Sequence, residues 1–371
     1  MDSATQFALG AVIGAVALGP RIGARKAIII GGLMGTVPDL DTFIPSDDPV
    51  SSFTSHRGAS HSLIIQALVT PLFAEPLVRF FKSLRDHRIR TYLAIYLIFA
   101  THALIDAMTI YGTRLLYPII DTPFGVGSVF IIDPLYSFPL VLIVLWGLVS
   151  SGYSSQLATW AKRALMVSSA YMLLSIPLQQ LAEAKAVRVL EDRGISPERI
   201  LTVAAPFTTL YWKTIAIDCN RYINLYTSIL GGDDAVTAYI HPRRSDLIAC
   251  LSTNLRYQEL SAFNKGIFSL DIEEGEVVMS DLRMGLSPNY VFRFAIAEAT
   301  DEGIKPLDLP SHKPVIRGVD GDWDWVFAGI MGAPVSRLAE ASTSVALNDL
   351  GPRTQTFAMT RCGLGPASSP G

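Results

Sequence analysis

Six apolar stretches crowd the first half of this chain, and they decide what it can fold into. They fall at residues 5–19, 27–44, 62–80, 92–111, 130–153 and 164–181. Lipid offers no hydrogen bonds to backbone N–H and C=O groups, so such stretches are expected to be helical. A crossing helix needs about 20 apolar residues, range about 17–25. The last four stretches approach that length if occasional polar residues are tolerated. The first two are shorter and read as a tight hairpin. Residues 1–182 carry 22 charged side chains, whereas residues 183–371 carry 41. The average of 17% charged residues therefore conceals two solvents. The expected fold class is an α-helical multi-pass membrane domain at 1–182 followed by a soluble mixed α/β domain at 183–345. This patterning excludes a disordered chain, and three cysteines exclude a disulfide-stapled miniprotein. Net charge −3 gives no reason to expect nucleic acid as a partner.

Within the hairpin, Gly10, Gly14, Gly31 and Gly35 have the small-x-x-x-small spacing that lets helices approach closely. Asp2 precedes the first stretch and no Lys or Arg does, the reverse of a signal-peptide n-region. Orientation follows from the basic residues. Arg21, Arg25 and Lys26 lie in the first connection. Arg79, Lys82, Arg85, Arg88 and Arg90 lie in the third, and Lys162 and Arg163 in the fifth. Only Arg57 and Arg114 fall in even-numbered connections. The positive-inside rule then predicts six crossings with odd connections cytoplasmic. The N-terminus and residues 183–371 would face outward.

In the second half, β-branched and aromatic runs broken by Gly, Asn and Asp predict strands at 201–203, 210–217, 221–228, 235–240, 276–279 and 290–297. A charged helix ended by Gly194 is expected at 181–192 and another helix at 323–331. Residues 346–371, ending GLGPASSPG, read as a disordered tail. His87, His241 and His312 read as surface residues. Tyr111, Tyr117, Tyr136 and Trp146 read as an aromatic belt. Cys219, Cys250 and Cys362 lack metal-binding spacing, and an outward domain could pair two of them.

Ionisable residues inside apolar stretches cost free energy and mark function by default. His102 and Asp106 are such a pair, four residues apart and so on one helical face. His56 and His61 flank a turn expected at Arg57-Gly58, with Ser60 capping the helix that follows. Asp39 and Asp41 follow Pro38, which disrupts a regular helix. In extended chain, residues two apart point the same way, so both carboxylates could converge on metal. An isolated D-x-D is more often just a polar helix end. Here, however, the orientation drawn from Lys and Arg alone sends all these residues towards the outer face.

The pieces PDLD at 38–41, HRGASHS at 56–62 and HALIDAMTIYGTRLLYP at 102–118 form a specific combination. With the opening MDSATQFALGAVIG, DPLYSFP at 133–139 and VVMSDLRMG at 277–285, the chain resembles the YdjM/YfhP-like family of membrane-bound metal-dependent hydrolases. These are also described as LexA-binding, inner-membrane-associated hydrolases. The resemblance implies a bacterial inner-membrane protein and metal-dependent hydrolysis. Many members have His where this chain has Gln6, which departs from the pattern as a ligand. LexA binding requires a cytoplasmic surface and does not fit an outward-facing site.

The expected centre comprises His56, His61, His102 and Asp106, with Asp39 and Asp41 as further ligands or a general base. Imidazole and carboxylate ligation favours Zn²⁺, with Mn²⁺ or Fe²⁺ as alternatives. Six candidate ligands leave room for one or two ions. Arg57 and Arg114 could hold an anionic substrate, either a phosphoester or a lipid-linked molecule at the outer face. The alternative is a non-catalytic membrane scaffold or metal sensor whose soluble domain binds a partner. A transporter would instead distribute its polar residues through the bilayer depth.

Overall fold

The computed structural model describes residues 1–46, 48–316 and 318–346. The chain divides into two compact units. One holds Met1–Leu181 with Thr202–Trp212, and the other holds Ala182–Leu201 with the described residues from Lys213 onward.

The first unit is helical: α1 (Ser3–Ile22), α2 (Ala24–Thr36), α3 (Pro49–Ser55), α4 (Leu63–Phe80), α5 (Arg88–Met108), α6 (Pro134–Val149) and the start of α7 (Ser155–Glu191). Among the described residues, four helical segments are long and apolar enough to cross a membrane: Ser3–Ile22, Leu63–Phe80, Lys82–Met108 and Ser155–Glu191. Pro134–Val149 is apolar but shorter. The second stretch is not one helix. Its 13-residue helix α2 is about 20 Å long, short of the ~30 Å core, and ends before Pro38. The chain continues as a 3-10 segment, Val37–Phe43.

The hairpin of α1 and α2 requires its glycines. A Cβ added at Gly10 would lie 2.4 Å from the Gly31 carbonyl oxygen, and one at Gly31 would lie 2.3 Å from that of Gly10. Ala11, Val12, Ala15 and Ile28 are buried beside this contact, with Ile95, Ile98 and Phe99 from α5 and Leu140 and Ile143 from α6. Asp2 caps α1 by accepting hydrogen bonds from the amides of Ala4 and Thr5. Asp133 caps α6 in the same way, accepting from the amides of Leu135 and Tyr136. The aromatic-belt reading fails for Tyr111 and Tyr136. Both are buried, Tyr136 among apolar side chains and Tyr111 by donating its hydroxyl to the Phe53 carbonyl.

Helix α7 contains the charged helix expected at 181–192 as its last turns. It runs unbroken for 37 residues to Glu191, because its sequence changes from apolar to charged without any Gly before Gly194. Only Pro177 interrupts its donors. Its last turns carry Ala186, Val189 and Leu190 onto Ala216, Ile223, Leu225 and Ala238 of the first sheet.

That five-stranded sheet has the order β1-β2-β3-β4-β11. Its strands are β1 (Arg199–Ala204), β2 (Tyr211–Asp218), β3 (Arg221–Ser228), β4 (Thr237–Pro242) and β11 (Val345–Ala346). β3 pairs antiparallel with β4, Arg221 opposite Pro242 and Tyr226 opposite Thr237. Between β4 and β5 lie the short helix α8 (Ile248–Leu251) and α9 (Leu255–Phe263). The second sheet has the order β10-β9-β6-β5. It is built from β5 (Phe268–Glu273), β6 (Glu276–Asp281), β9 (Arg293–Thr300) and β10 (Gly303–His312), with the ribbon β7 (Gly285–Leu286) and β8 (Asn289–Tyr290) between. Helices α10 (Asp322–Ile330) and α11 (Leu338–Ala341) follow.

His241 is not a surface residue. It stacks on Tyr222 at 4.7 Å, and its Nε2 lies 2.8 Å from Glu340 Oε1. The buried Glu340 carboxylate also accepts hydrogen bonds from Asn224 and Tyr226. Nearby, burial pushes the Lys213 amine down to about 7, and its Nζ donates to the Leu282 and Gly285 carbonyls. Cys250 is free and exposed. Cys362 and the expected tail after Ala346 lie outside the described residues.

Candidate metal centre

Pro38 lacks an amide hydrogen and so cannot continue the ladder of α2. The tighter 3-10 path has three residues per turn, so residues two apart point about 120° away from each other. Asp39 and Asp41 therefore diverge, contrary to the shared direction that an extended chain would give them. Asp39 turns towards His61 and His102, with Oδ1 at 3.4 and 3.3 Å from their Nε2 atoms. Asp41 turns towards His56, with Oδ1 at 2.8 Å from Nδ1.

The turn between the first two histidines passes through Arg57, a non-glycine residue at φ +63°. A side chain is disfavoured there by roughly 1–2 kcal/mol. Arg57 is fixed on several sides. Its amide donates to Asp41 Oδ2 at 3.2 Å, and its NH1 donates to Thr109 Oγ1 at 3.0 Å. Its guanidinium lies 4.9 Å over the Tyr111 ring. His61 closes a short 3-10 turn, Ala59–His61, rather than sitting in the first turn of α4. Ser62, not Ser60, caps that helix by accepting from the Ile65 amide. Ser60 donates instead to Asp41 Oδ2 at 2.6 Å and stands 2.9 Å from His61 Nδ1.

His102 and Asp106 project from one face of α5, as their spacing predicted, and both are buried. One ligand atom from each of Asp39, His61, His102 and Asp106 lies within 4.8 Å of all the others. The two Nε2 atoms are 3.0 Å apart. Asp106 Oδ2 is 3.2 Å from that of His61 and 3.6 Å from that of His102. Donors at ~2.0–2.1 Å around a tetrahedral ion are separated by about 3.3 Å, close to these spacings.

Proton positions strengthen the fit. His102 Nδ1 is 2.7 Å from the Gly35 carbonyl oxygen, which can only accept. Its Nδ1 therefore carries the hydrogen, leaving the Nε2 lone pair facing the cluster. Ser60 has given its hydrogen to Asp41, so it accepts from His61 Nδ1–H, and His61 Nε2 also faces inward. This is the outer arrangement that fixes metal-binding imidazoles. Two nitrogen lone pairs and two carboxylates directed into one small space repel each other unless a cation joins them. Asp106 Oδ2 and Gln6 Oε1 are buried with no hydrogen-bond donor. The donor set fits a divalent cation held by Asp39, His61, His102 and Asp106.

Burial pulls His61 down, while Asp106 and Asp39 raise it by more, so its pKa lies above the ordinary value. A proton on His61 competes with a metal for the same lone pair.

His56 and Asp41 stand beside the four-donor group as a hydrogen-bonded dyad. Asp106 receives further positive charge, since Arg57 Nε lies 3.2 Å from its Oδ2 and the Met1 amino group donates to its Oδ1. Gln6 Nε2 donates to that same Oδ1 at 3.0 Å. Arg57 thus faces the cluster rather than open solvent. Arg114 pairs with Asp121 at 3.2 Å. Sequence reasoning missed Ser60 as the link between His61 and Asp41, and the Gly35 carbonyl as the orienter of His102. A backbone carbonyl leaves no signature in a sequence, and Ser60 had a simpler reading as a cap.

No curated relative and no solved structure matches the chain. A family model does match: residues 1–182 fit that described as the YdjM inner membrane protein. That segment holds the apolar helices of the first unit and every residue of the cluster, and it belongs to the YdjM inner membrane protein family.

Proposed function

We propose that the chain is a membrane-bound metal-dependent hydrolase. The observation that carries this reading is the convergence of Asp39, His61, His102 and Asp106, with both imidazoles oriented from behind. A divalent ion bound there, Zn²⁺ by the donor chemistry with Mn²⁺ or Fe²⁺ as alternatives, would act as a Lewis acid and acidify water. The protein's own groups have separate tasks. Asp41 orients His56, whose side chain remains 21% exposed and can exchange a proton at the rim. Arg57 and Asp106 hold each other in the buried wall. The four-donor group accounts for one ion, and the Asp41–His56 dyad beside it would be the place for a second.

The substrate class that suits a metal centre at one end of a membrane bundle is a phosphoester or a lipid-linked molecule. In this reading α6, and α2 continued by the 3-10 segment Val37–Phe43, cross together with the four long helices. The odd connections are cytoplasmic, and the soluble unit lies on the periplasmic side. The full chain, stripped with chelator in nanodiscs and reloaded with Zn²⁺ or Mn²⁺, would be assayed on phosphomonoesters, diesters, phospholipids and peptides. Turnover of a phosphoester that needs added metal and is lost in His102→Ala is expected. Metal binding without hydrolysis of any substrate would overturn the enzymatic reading and favour a metal-binding scaffold or sensor.

A further inference from the structure

The first unit carries a second feature, formed by residues other than those of the metal cluster and independent of its chemistry. A groove of about 350 Å³ opens between α4 and α5. Ala67, Pro71, Ile89, Leu93 and Tyr96 line its length, and Arg88 stands at one end. Tyr96 lies eight residues beyond Arg88 on the same helix, so the groove extends about 12 Å along it. Its walls are almost wholly apolar.

The charged end is built rather than incidental. Glu75 accepts hydrogen bonds from Arg79 Nε at 2.9 Å, Arg88 NH2 at 2.6 Å and Tyr92 OH at 2.8 Å. One carboxylate thus organises two guanidiniums and leaves a net positive charge. Both arginines keep much of their surface open, with side chains 78% and 58% exposed. Lys82, Arg85 and Arg90 add charge in the same connection.

We propose that this groove is a binding site for one anionic glycerophospholipid. The phosphate and its negative headgroup sit at Arg79 and Arg88, and one acyl chain lies along Ala67, Ile89, Leu93 and Tyr96. Cation at the helix end and hydrocarbon wall beyond it reproduce the order of groups along a lipid molecule. The charge lies in the connection that the positive-inside rule assigns to the cytoplasm, where anionic lipids attract basic residues.

The test is native mass spectrometry of the full chain released from detergent, titrated with phosphatidylglycerol or phosphatidylcholine. One phosphatidylglycerol should bind about tenfold more tightly than phosphatidylcholine. Ala67 is exposed on α4, so Ala67→Trp fills the groove without entering the core, and it should abolish that retained lipid. Arg79→Gln with Arg88→Gln should abolish the preference while leaving weak binding of both lipids. Unchanged thermal unfolding of the variants separates loss of the site from loss of the fold. Equal binding of the two lipids by the wild type would overturn the proposal. So would phosphatidylglycerol retention in a folded Ala67→Trp that matches the wild type, and either result would mean non-selective annular lipid.

Discussion

At the scale of residues, Ser60 does more than its position in the motif suggested. It passes a hydrogen bond from His61 Nδ1 to Asp41, and so fixes which imidazole nitrogen faces the cluster. Ser60→Ala leaves all four donors in place but frees the His61 ring to rotate or change tautomer. Loss of such an outer partner typically costs about 10–100-fold in metal affinity. Competition titration against a fluorescent zinc chelator should show that weakening, and unchanged affinity would mean that Ser60 is only a turn residue. Much of this site was legible one residue at a time. His102 and Asp106 stood out because a histidine and an aspartate inside an apolar helix have no inexpensive explanation. The separate fates of Asp39 and Asp41 were not legible, since they depend on whether Val37–Phe43 is extended or 3-10. His241 was misread for a related reason: its partner Glu340 lies 99 residues away.

At the scale of elements, the glycine contact between α1 and α2 reaches into the site. The same helix end that packs on α1 presents the Gly35 carbonyl to His102, and a Cβ at Gly35 would lie 2.6 Å from the Gln6 carbonyl oxygen. Gly31→Ala should therefore destabilise the bundle by about 1–3 kcal/mol through overpacking. Gly152→Ala, where an added Cβ meets nothing within 4 Å, should be near neutral. Thermal unfolding in detergent distinguishes them, and equal midpoints would mean that the hairpin is looser than described. The apolar stretches announced most of the helices, because hydrophobicity over such lengths leaves the backbone few options. Pro38 showed where α2 would end, although not the path after it. The strands found in sequence, such as Arg221–Ser228, are rich in β-branched and aromatic residues. β5 and β10 were missed because FSLDIE is half polar and GIKPLDLPSH holds two prolines. β10 is an edge strand, where a missing amide donor is tolerated.

At the scale of the whole molecule, the contrast between an oily first half and an ordinary second half carries a topological consequence. Reporter fusions after Arg90 and after Glu183 should report opposite sides of the membrane, the first cytoplasmic and the second periplasmic. Matching sides would remove one crossing from the proposed six. The cluster draws on three parts of the first unit: the 3-10 segments at Asp39 and His61, and α5. Such a convergence of buried charge is costly without a cation to join it. Metal content is therefore the decisive property. The full chain and its His61→Ala and His102→Ala variants, purified without chelator, would be measured by inductively coupled plasma mass spectrometry. About one equivalent or more of a divalent transition metal is expected in the wild type, with a large loss in both folded variants. Negligible metal in all three proteins, including after incubation with Zn²⁺, Mn²⁺ and Fe²⁺, would contradict a metal centre.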